Sequence, residues 1–385
     1  MNTRHNHIVI DARVRRSTTG RYIDRLVEHL QNIDDYHRYT VLVQPDDPWK
    51  MRNRNFKTVT CGYPQFSVNP LHQLGFARQL YRLKPDLVHF TMTQQPLLYF
   101  GKIVTTTHDT TMYHFVRRGT TPLPLYKAKM WLYTFLVWWS HHKSDKIIVP
   151  TRTVAREFAE LQPFTAKKLV VTYESSEPAL AIKAEKPAGI SGDFIMYVGT
   201  AFPHKNLPRL IEAFEIMRAA RPDLKLIITG KRDEKHMVEL LAWAKDLPSF
   251  DHIILPGFVS DAELKWLYEH CQAYVFASLS EGFGLPPLEA MAHGAPVVSS
   301  NASVMPEVYG DAAHYFNAKS PKDIAQKVLE VLNDNNLRKT LVHNGHQQLK
   351  KYSWQKMADE TLTVYKDVLG EVSNIEEASP LRFND

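Results

Sequence analysis

Two doubly wound α/β domains, each on a parallel sheet, are what this sequence predicts, and three observations predict them. The chain has 385 residues, too many for one compact core and suited to two. Short β-rich runs alternate with helical patterns, the signature of parallel strands joined by crossover helices. The alternation halts once, in the aperiodic stretch "EPALAIKAEKPAGISGD", and then restarts.

In the first series the strand-like runs are "HIVIDA", "YTVLVQ", "TVTCG", "DLVHFT", "KIVTTTH" and "KIIVPT", with helical patterns at 20–31 and 71–83. "KKLVVTYES" closes it. The second series holds "FIMYVG", "LKLIITG", "HIILPG", "AYVFAS" and "APVVSS", alternating with helical patterns at 207–220, 234–245, 260–270 and 286–293. The expected boundaries are a first domain over 1–178, a linker over 179–192 and a second domain over 193–369. The last helix is a candidate to cross back to the first domain. Residues 370–385, "GEVSNIEEASPLRFND", have the composition of a polar, mobile tail. Ligands of such sheets sit at the carboxyl ends of the strands, so the expected site is a cleft between the two domains.

Composition narrows the partners. Two cysteines, Cys61 and Cys271, form no disulfide framework or Cys-based metal site, and the expected compartment is the reducing cytoplasm. No signal-peptide core follows the start, and no apolar run reaches the roughly 18 residues of a membrane-spanning helix. Charge is uneven: residues 1–178 carry 25 Lys/Arg and 14 Asp/Glu, net +11, while the remainder carries 22 and 27, net −5. The first half is therefore expected to meet something anionic. Asp11, Arg13, Arg15, Arg16 and Arg21 lie at or after the first strand, placed either to meet phosphate or to face water. In "LPLYKAKMWLYTFLVWWSHHKSDK" an apolar, aromatic decad, 130–139, is flanked by Lys127, Lys129 and Lys143. It is too short to span a bilayer. It reads as a buried helix with Trp138 and Trp139 on its rim, or as an interfacial anchor through 124–143. No interleaved basic-aromatic motif points to nucleic acid. His114, His141, His142 and His204 lack ligand-like spacing and read as non-metal residues.

The stretch "SLSEGFGLPPLEAMAHGAPVV" carries the chemistry. A buried strand delivers Glu281, two glycines turn the chain, Pro286 or Pro287 suits the first helical position, and Glu289 follows about one turn into the helix. The amides of a helix start favour an anion such as a diphosphate. Carboxylates beside a phosphate repel it unless they bind something else, and sugar hydroxyls fit. Glu307, in "MPEVYG", reads equally as a nucleotide contact or as the opening of a short helix.

These residues resemble a known family. "EGFGLPPLEAMAHGAPVVSS" is similar to the Glu-x7-Glu motif of the retaining glycosyltransferases of family 4, which have the GT-B fold. "STTGRYIDRLVEHL", "VTTTHDTTMYHF", "MYVGTAFPHKNLPRLIEAF", "PGFVSDAELKWLYEHCQAYVFASLSEGFG" and "MPEVYGDAAHYF" follow the family pattern in order. The resemblance implies catalytic roles for Glu281 on the sugar hydroxyls, His108 near the donor sugar and Lys205 on the leaving diphosphate. It implies that Glu289 binds the ribose and that Gly282, Phe283, Gly284 and Leu285 face sugar and diphosphate. Gly20 lets the first loop approach phosphate and acceptor, and Gly199, Thr200, His204, Lys231 and Phe258 complete the donor site. Many relatives carry an Arg close to the phosphate lysine. Here Thr200 and His204 occupy the nearby positions, so clamping falls to Lys205, to Lys231 or Arg232, or to a protonated His204. No Asp-x-Asp triplet occurs, which fits a metal-independent enzyme with no cofactor. The expected activity is transfer of a hexose from a nucleotide-diphosphate sugar, GDP-mannose as first choice, to a glycan or lipid-linked hydroxyl in polysaccharide or glycolipid synthesis. Such an enzyme is expected in the cytoplasm or at the inner membrane face. An epimerase of the same architecture and a non-catalytic nucleotide-sugar-binding subunit stay open beside it.

Overall fold

The computed structural model describes residues 5–17, 19–115, 121–178, 180–230 and 234–371. The first sheet holds β1 (His7–Asp11), β2 (Arg38–Val43), β3 (Phe56–Thr60), β4 (Leu87–Phe90), β5 (Ile103–Thr106), β6 (Lys146–Val149) and β7 (Leu169–Val171). The second holds β8 (Phe194–Val198), β9 (Lys225–Thr229), β10 (Ile253–Gly257), β11 (Ala273–Phe276), β12 (Val297–Ser300) and β13 (Ala313–Phe316). Their orders are β3-β2-β1-β4-β5-β6-β7 and β10-β9-β8-β11-β12-β13. Every pairing is parallel. Both sheets start at an inner strand, wind outward, reverse and wind the other way, which is the doubly wound, Rossmann-like order.

A parallel sheet must be covered on both faces, and β1 shows how. Ile8 and Ile10 turn to one side with Tyr22, Ile23, Leu26 and Leu30 of the helix Gly20–Ile33. Val9 turns to the other with Phe76 and Leu80 of the helix Pro70–Leu83. Asn69 caps that second helix through its side chain, 2.9 Å from Leu71 N, so Pro70 starts it without needing an N–H.

The chain forms two compact units. The first comprises Met1–His108, Arg118–Glu174 and Ser353–Asp385, the second Asp109–Arg117 and Ser175–Tyr352. This partition differs from a single cut at 178–193 in three ways, the first of which, the return of the last helix, was already a candidate. The helix Trp354–Leu369 belongs to the first unit, because its apolar stripe (Trp354, Met357, Ala358, Leu362, Tyr365) joins the core under the helix Gly20–Ile33. The chain enters the second unit directly after His108. The stretch expected as a linker is fastened to the second unit: Lys265 Nζ donates to Leu180 O and Ile182 O at 2.8 and 2.9 Å, and Glu185 N to Ala262 O at 3.1 Å. The strand β13 was not expected; His314 interrupts its short run. Gly370 closes the last helix in the left-handed conformation, and Glu371 accepts from Asn6 and lies 3.2 Å from His37. Of the expected tail, 372–385 lies outside the described residues.

Two buried histidines brace the first unit. His89 bonds Tyr365 through Nδ1 at 2.5 Å and Thr106 through Nε2 at 2.8 Å. His141 bonds Gln162 and Thr107, both at 2.8 Å. Burial pulls His89 down from 6.5 to about 3 and His141 to about 4, so both are neutral in the folded state. The unfolded chain takes up their protons first as pH falls. Their stabilisation is thus complete above about pH 6.5 and drains away toward pH 4, at about 3 kcal/mol for His141 alone. The expected outcome is a melting temperature that falls steeply between pH 6.5 and 4. A flat melting profile across that window, in calorimetry at constant ionic strength, contradicts it.

Candidate active site

In the second unit two loops meet at the carboxyl end of β11. One carries Lys205 in the 3₁₀ turn Pro203–Lys205. The other runs from β11 through Ser280 and Glu281 to the helix Leu285–Ala292. Their lysine and glutamate form an ion pair, Nζ to Oε1 2.6 Å, with side chains only 18% and 12% exposed. Asn206 makes the pairing possible. It adopts the left-handed conformation, φ +61, that asparagine tolerates better than most residues. Its buried amide donates to Ala277 O at 3.1 Å and Ala318 O at 2.8 Å. Leu279 N donates to His204 O at 2.7 Å, so the two loops are also stitched main chain to main chain.

The turn after Glu281 is fixed from below. Gly284 sits at φ +86, and a Cβ there would come within 2.2 Å of Tyr309 Oη, so only glycine fits. Tyr309 Oη donates to Gly284 O at 2.8 Å. Phe283 is buried with its ring edge-on to Tyr352 at 5.3 Å. Ser303 Oγ lies 3.4 Å from Glu281 N and 3.3 Å from Glu281 O, fastening the backbone at Glu281. Gly282 precedes this turn, and Leu285, half-buried, begins the helix one residue earlier than expected. Pro286 and Pro287 therefore occupy the second and third helical positions, and two of the four terminal positions carry no N–H donor. The donors of this helix start belong to Leu285 and the loop before it, not to a full first turn. Glu289 is half-buried one turn inside, and Glu307 half-buried in the helix Met305–Tyr309.

The other expected donor residues are spread around this centre. Gly199 and Thr200 follow β8, where Tyr197 Oη donates to Thr200 O at 3.3 Å. His204 is 4% exposed, its ring 5.9 Å from Phe202 and 6.0 Å from Phe115. Phe258 follows β10 with 79% of its surface exposed. Lys231 and Arg232 lie outside the described residues. The helix Thr111–His114 belongs to this unit too, and Thr111 Oγ1 lies 3.2 Å from Ser280 Oγ, next to Glu281.

In the first unit, His108 follows β5. Its Nε2 lies 3.0 Å from Thr91 O and its Nδ1 3.3 Å from Glu174 Oε1. A carbonyl oxygen only accepts, so Nε2 carries a hydrogen, and Nδ1 faces the Glu174 carboxylate. Tyr22 meets the His108 ring edge-on at 5.0 Å and bonds Thr106 Oγ1 at 2.9 Å. Gly20 opens the helix that carries Tyr22, and a Cβ there would strike Arg15 O. The arginines of this first loop are largely committed elsewhere. Arg13 forms a buried two-point pair with Asp11, Nη2 to Oδ2 2.7 Å and Nε to Oδ1 2.8 Å, and lies over the Phe76 ring. Arg15 bonds Asp24 and Asp47, and Arg16 bonds Asp46. Neither of the two roles expected for Arg13, phosphate contact or exposure to water, matches this pairing.

Asn206, Ser303, Tyr309 and Glu174 escaped sequence reasoning because each acts on a site residue distant in the chain. Only Asn206 left a trace, as a polar residue at a helix start.

A family model described as "Glycosyltransferase Family 4" matches residues 19–174, and one described as "Glycosyl transferases group 1" matches residues 181–348. The chain belongs to the group 1 and family 4 glycosyltransferases. This glycosyltransferase is 32% identical to the O-antigen chain mannosyltransferase B of Escherichia coli over 241 residues, 58% of this chain and 61% of that protein. The O-antigen chain mannosyltransferase RfbU of Salmonella typhimurium is 29% identical over 63% of this chain and 69% of its own length. The match thus spans about three fifths of the first relative. Among solved structures, the sucrose-phosphate synthase of Thermosynechococcus elongatus superposes with a TM-score of 0.73 at 16% identity, over 95% of this chain and 100% of that one. HepE of Anabaena, solved with UDP and glucose, gives 0.70 at 15% identity over 94% and 100%. At such identity the likeness speaks for the fold, GT-B, and the glycosyltransferase has both of its sheets.

Asn206→Ala is expected to destabilise the second unit by roughly 2–4 kcal/mol, since it strands two buried carbonyls and adds left-handed strain. Asn206→Gly, which relieves the strain, is expected to lose less; equal losses in urea melts contradict the account.

Proposed function

We propose that the chain is a retaining hexosyltransferase, with mannose the sugar and GDP-mannose the donor, acting on a hydroxyl of a glycan or lipid-linked acceptor in cell-surface polysaccharide synthesis. The observation that carries this reading is the Lys205–Glu281 pair beside the Gly284 turn. It joins the two chemistries that sugar transfer from a nucleotide diphosphate requires. A cation neutralises charge developing on the leaving phosphate, and a carboxylate grips hydroxyls of the transferred sugar. The mannosyl assignment is supported by the names of the Escherichia coli and Salmonella relatives.

The roles follow. Lys205 stabilises the departing diphosphate with the amides of Phe283, Gly284 and Leu285. Glu281 holds sugar hydroxyls and, through its pairing, keeps Lys205 extended toward the turn. Glu289 binds the ribose. His108 lies near the donor sugar, its ring held by Thr91 O and Glu174, with Glu174 as its positioning residue. The acceptor proton goes to the leaving phosphate oxygen on the same face of the sugar, so no protein nucleophile forms a bond to it. No metal ion enters this scheme.

Docking on an anionic membrane surface accounts for the helix Leu123–Lys143. No helix among the described residues is long and apolar enough to cross a membrane, yet this one exposes Trp131 (71%), Phe135 (40%) and Trp138 (40%). The three rings are stacked at 6.0 Å steps, and the helix has no acidic residue. Lys143 is not one of the cations that would touch lipid: its Nζ donates to Pro96 O and Tyr99 O, and burial lowers it to about 8. Lys127 remains for that purpose.

GDP-mannose is expected to raise the melting temperature more than UDP-glucose at equal concentration, by mass action. Glu281→Ala is expected to abolish transfer, by about a hundredfold or more, while keeping nucleotide binding better than Glu289→Ala does. Transfer is expected to survive chelation of divalent cations. Equal loss of nucleotide binding in the two variants contradicts the assigned roles, and product formed from donor without acceptor points to an epimerase. Glu174→Ala is expected to lower kcat roughly ten- to a hundredfold with little change in KM, and Glu174→Gln, which keeps an acceptor for Nδ1, to restore part of it. A KM effect alone would remove Glu174 from the mechanism.

A further inference from the structure

The helix Leu123–Lys143 is apolar on two faces. Trp131, Phe135 and Trp138 form the outer stripe, spaced i, i+4, i+7. A second stripe, Leu132, Tyr133, Leu136 and Val137, with Lys129 one turn before it, lines a cavity of about 270 Å³ inside the first unit. A helix apolar all round is normally buried all round; this one has solvent on one side and a cavity on the other. Phe66 and Val68, 61% and 59% exposed, lie in the opposite wall with Phe76 behind them. The segments that follow β1, β3 and β4 supply Arg13, Tyr63 and Thr93, so the cavity lies outside the carboxyl ends of the strands, where open α/β sheets take ligands.

The wall also has a polar end. Gln94 Oε1 and Gln95 Oε1 are buried without a hydrogen-bond partner among the described residues, and both residues line the cavity. Gln95 is 8% exposed, and its Nε2 is already used on Ser140 Oγ at 2.6 Å. A buried carbonyl oxygen without a donor favours any ligand that brings one. The cation of Arg13 is offset by Asp11, so this end offers no strong anion site. The wall therefore combines a mainly apolar surface, the Lys129 cation and two acceptors that lack hydroxyl donors.

We propose that this cavity binds an amphiphilic glycoside, its apolar chain between the helix Leu123–Lys143 and the loop at Phe66–Val68, and its hydroxyl-bearing head toward Gln94 and Gln95. This deepens the function proposed above, on which its meaning as an acceptor site rests: the acceptor is a glycolipid, recognised by its chain as well as its sugar. One helix then presents its outer stripe to the membrane surface and its inner stripe to a chain drawn from that membrane.

The test is equilibrium binding by calorimetry, without donor, using octyl α-D-mannopyranoside below its micelle concentration. Methyl α-D-mannopyranoside supplies the head alone and 1-octanol the chain alone. Octyl mannoside is expected to bind at least tenfold more tightly than either fragment. Phe66→Ser, at the exposed mouth, and Leu132→Gln, on the inner stripe, are each expected to weaken it about tenfold. Trp243→Ser, which removes an exposed aromatic from the second unit, leaves it unchanged and controls for surface adsorption. Octyl mannoside binding no better than methyl mannoside overturns the proposal, as does unchanged affinity in both Phe66→Ser and Leu132→Gln or equal weakening by Trp243→Ser. Because no donor is present, these outcomes are independent of transfer. Intact mannosyl transfer to a water-soluble glycan with no octyl mannoside binding would sink the cavity assignment alone, and binding without transfer would sink the enzymatic one alone.

Discussion

The candidate site depends on keeping a lysine and a glutamate charged, close and mostly out of water. Each ion alone would be costly there, and removing one partner of such a pair strands the other at several kcal/mol. The pair is affordable only because its geometry is settled before any ligand arrives. Asn206 ties the lysine loop to the end of β11, Leu279 N ties the glutamate loop back to His204 O, and Ser303 and Tyr309 fasten the turn beyond Glu281. The pair also couples its members. A ligand phosphate that draws Lys205 away loosens Glu281, and a sugar that takes Glu281 releases Lys205. Under the proposed function, donor phosphate and donor sugar would thereby be sensed by one interaction and not by two independent ones.

A comparable dependence runs through the first unit, and it reaches across the whole chain. Tyr365, near the end of the sequence, bonds His89; His89 bonds Thr106; Thr106 bonds Tyr22; and Tyr22 braces His108. The terminal helix covers the sheet, but it also supports the strand that presents His108. Burial holds His89 neutral, so this support places no charge behind the strand that presents His108.

The fold was legible because its signals are local. Runs such as "HIVIDA" and "AYVFAS" are β-rich over four to six residues and separated by helical periodicity, so twelve of the strands lie where such runs occur. What escaped were features decided by contacts between distant residues. "AHYF" in β13 has too few apolar residues to stand out, and it forms because β12 offers an open edge. The return of the helix Trp354–Leu369 to the first unit was open in the sequence, and what decides it is the fit of its stripe beside the helix Gly20–Ile33, a match of two surfaces. The site divides the same way. Glu281, Gly284 and Lys205 stood out by residue type and spacing. The burial of His204 between aromatic rings and the pairing of Arg13 with Asp11 depend on neighbours brought in by the fold.

The two prolines after Leu285 show how the local and the global combine. A helix start with four free donors would be a strong, indiscriminate anion site. Pro286 and Pro287 remove two donors and fix the backbone of the first turn, so the remaining amides sit in the strained loop at Gly284, held by Tyr309. Under the proposed function, anion recognition would then shift from the helix to the turn, beside Glu281 and its partner lysine. A phosphate placed there must satisfy a carboxylate neighbour as well as the amides, which an isolated phosphate does poorly and one carrying a sugar does well. Under the proposed function, selectivity for a sugar-bearing diphosphate over a bare one would come from the prolines and Glu281 acting together, the first weakening a generic site and the second penalising an incomplete ligand.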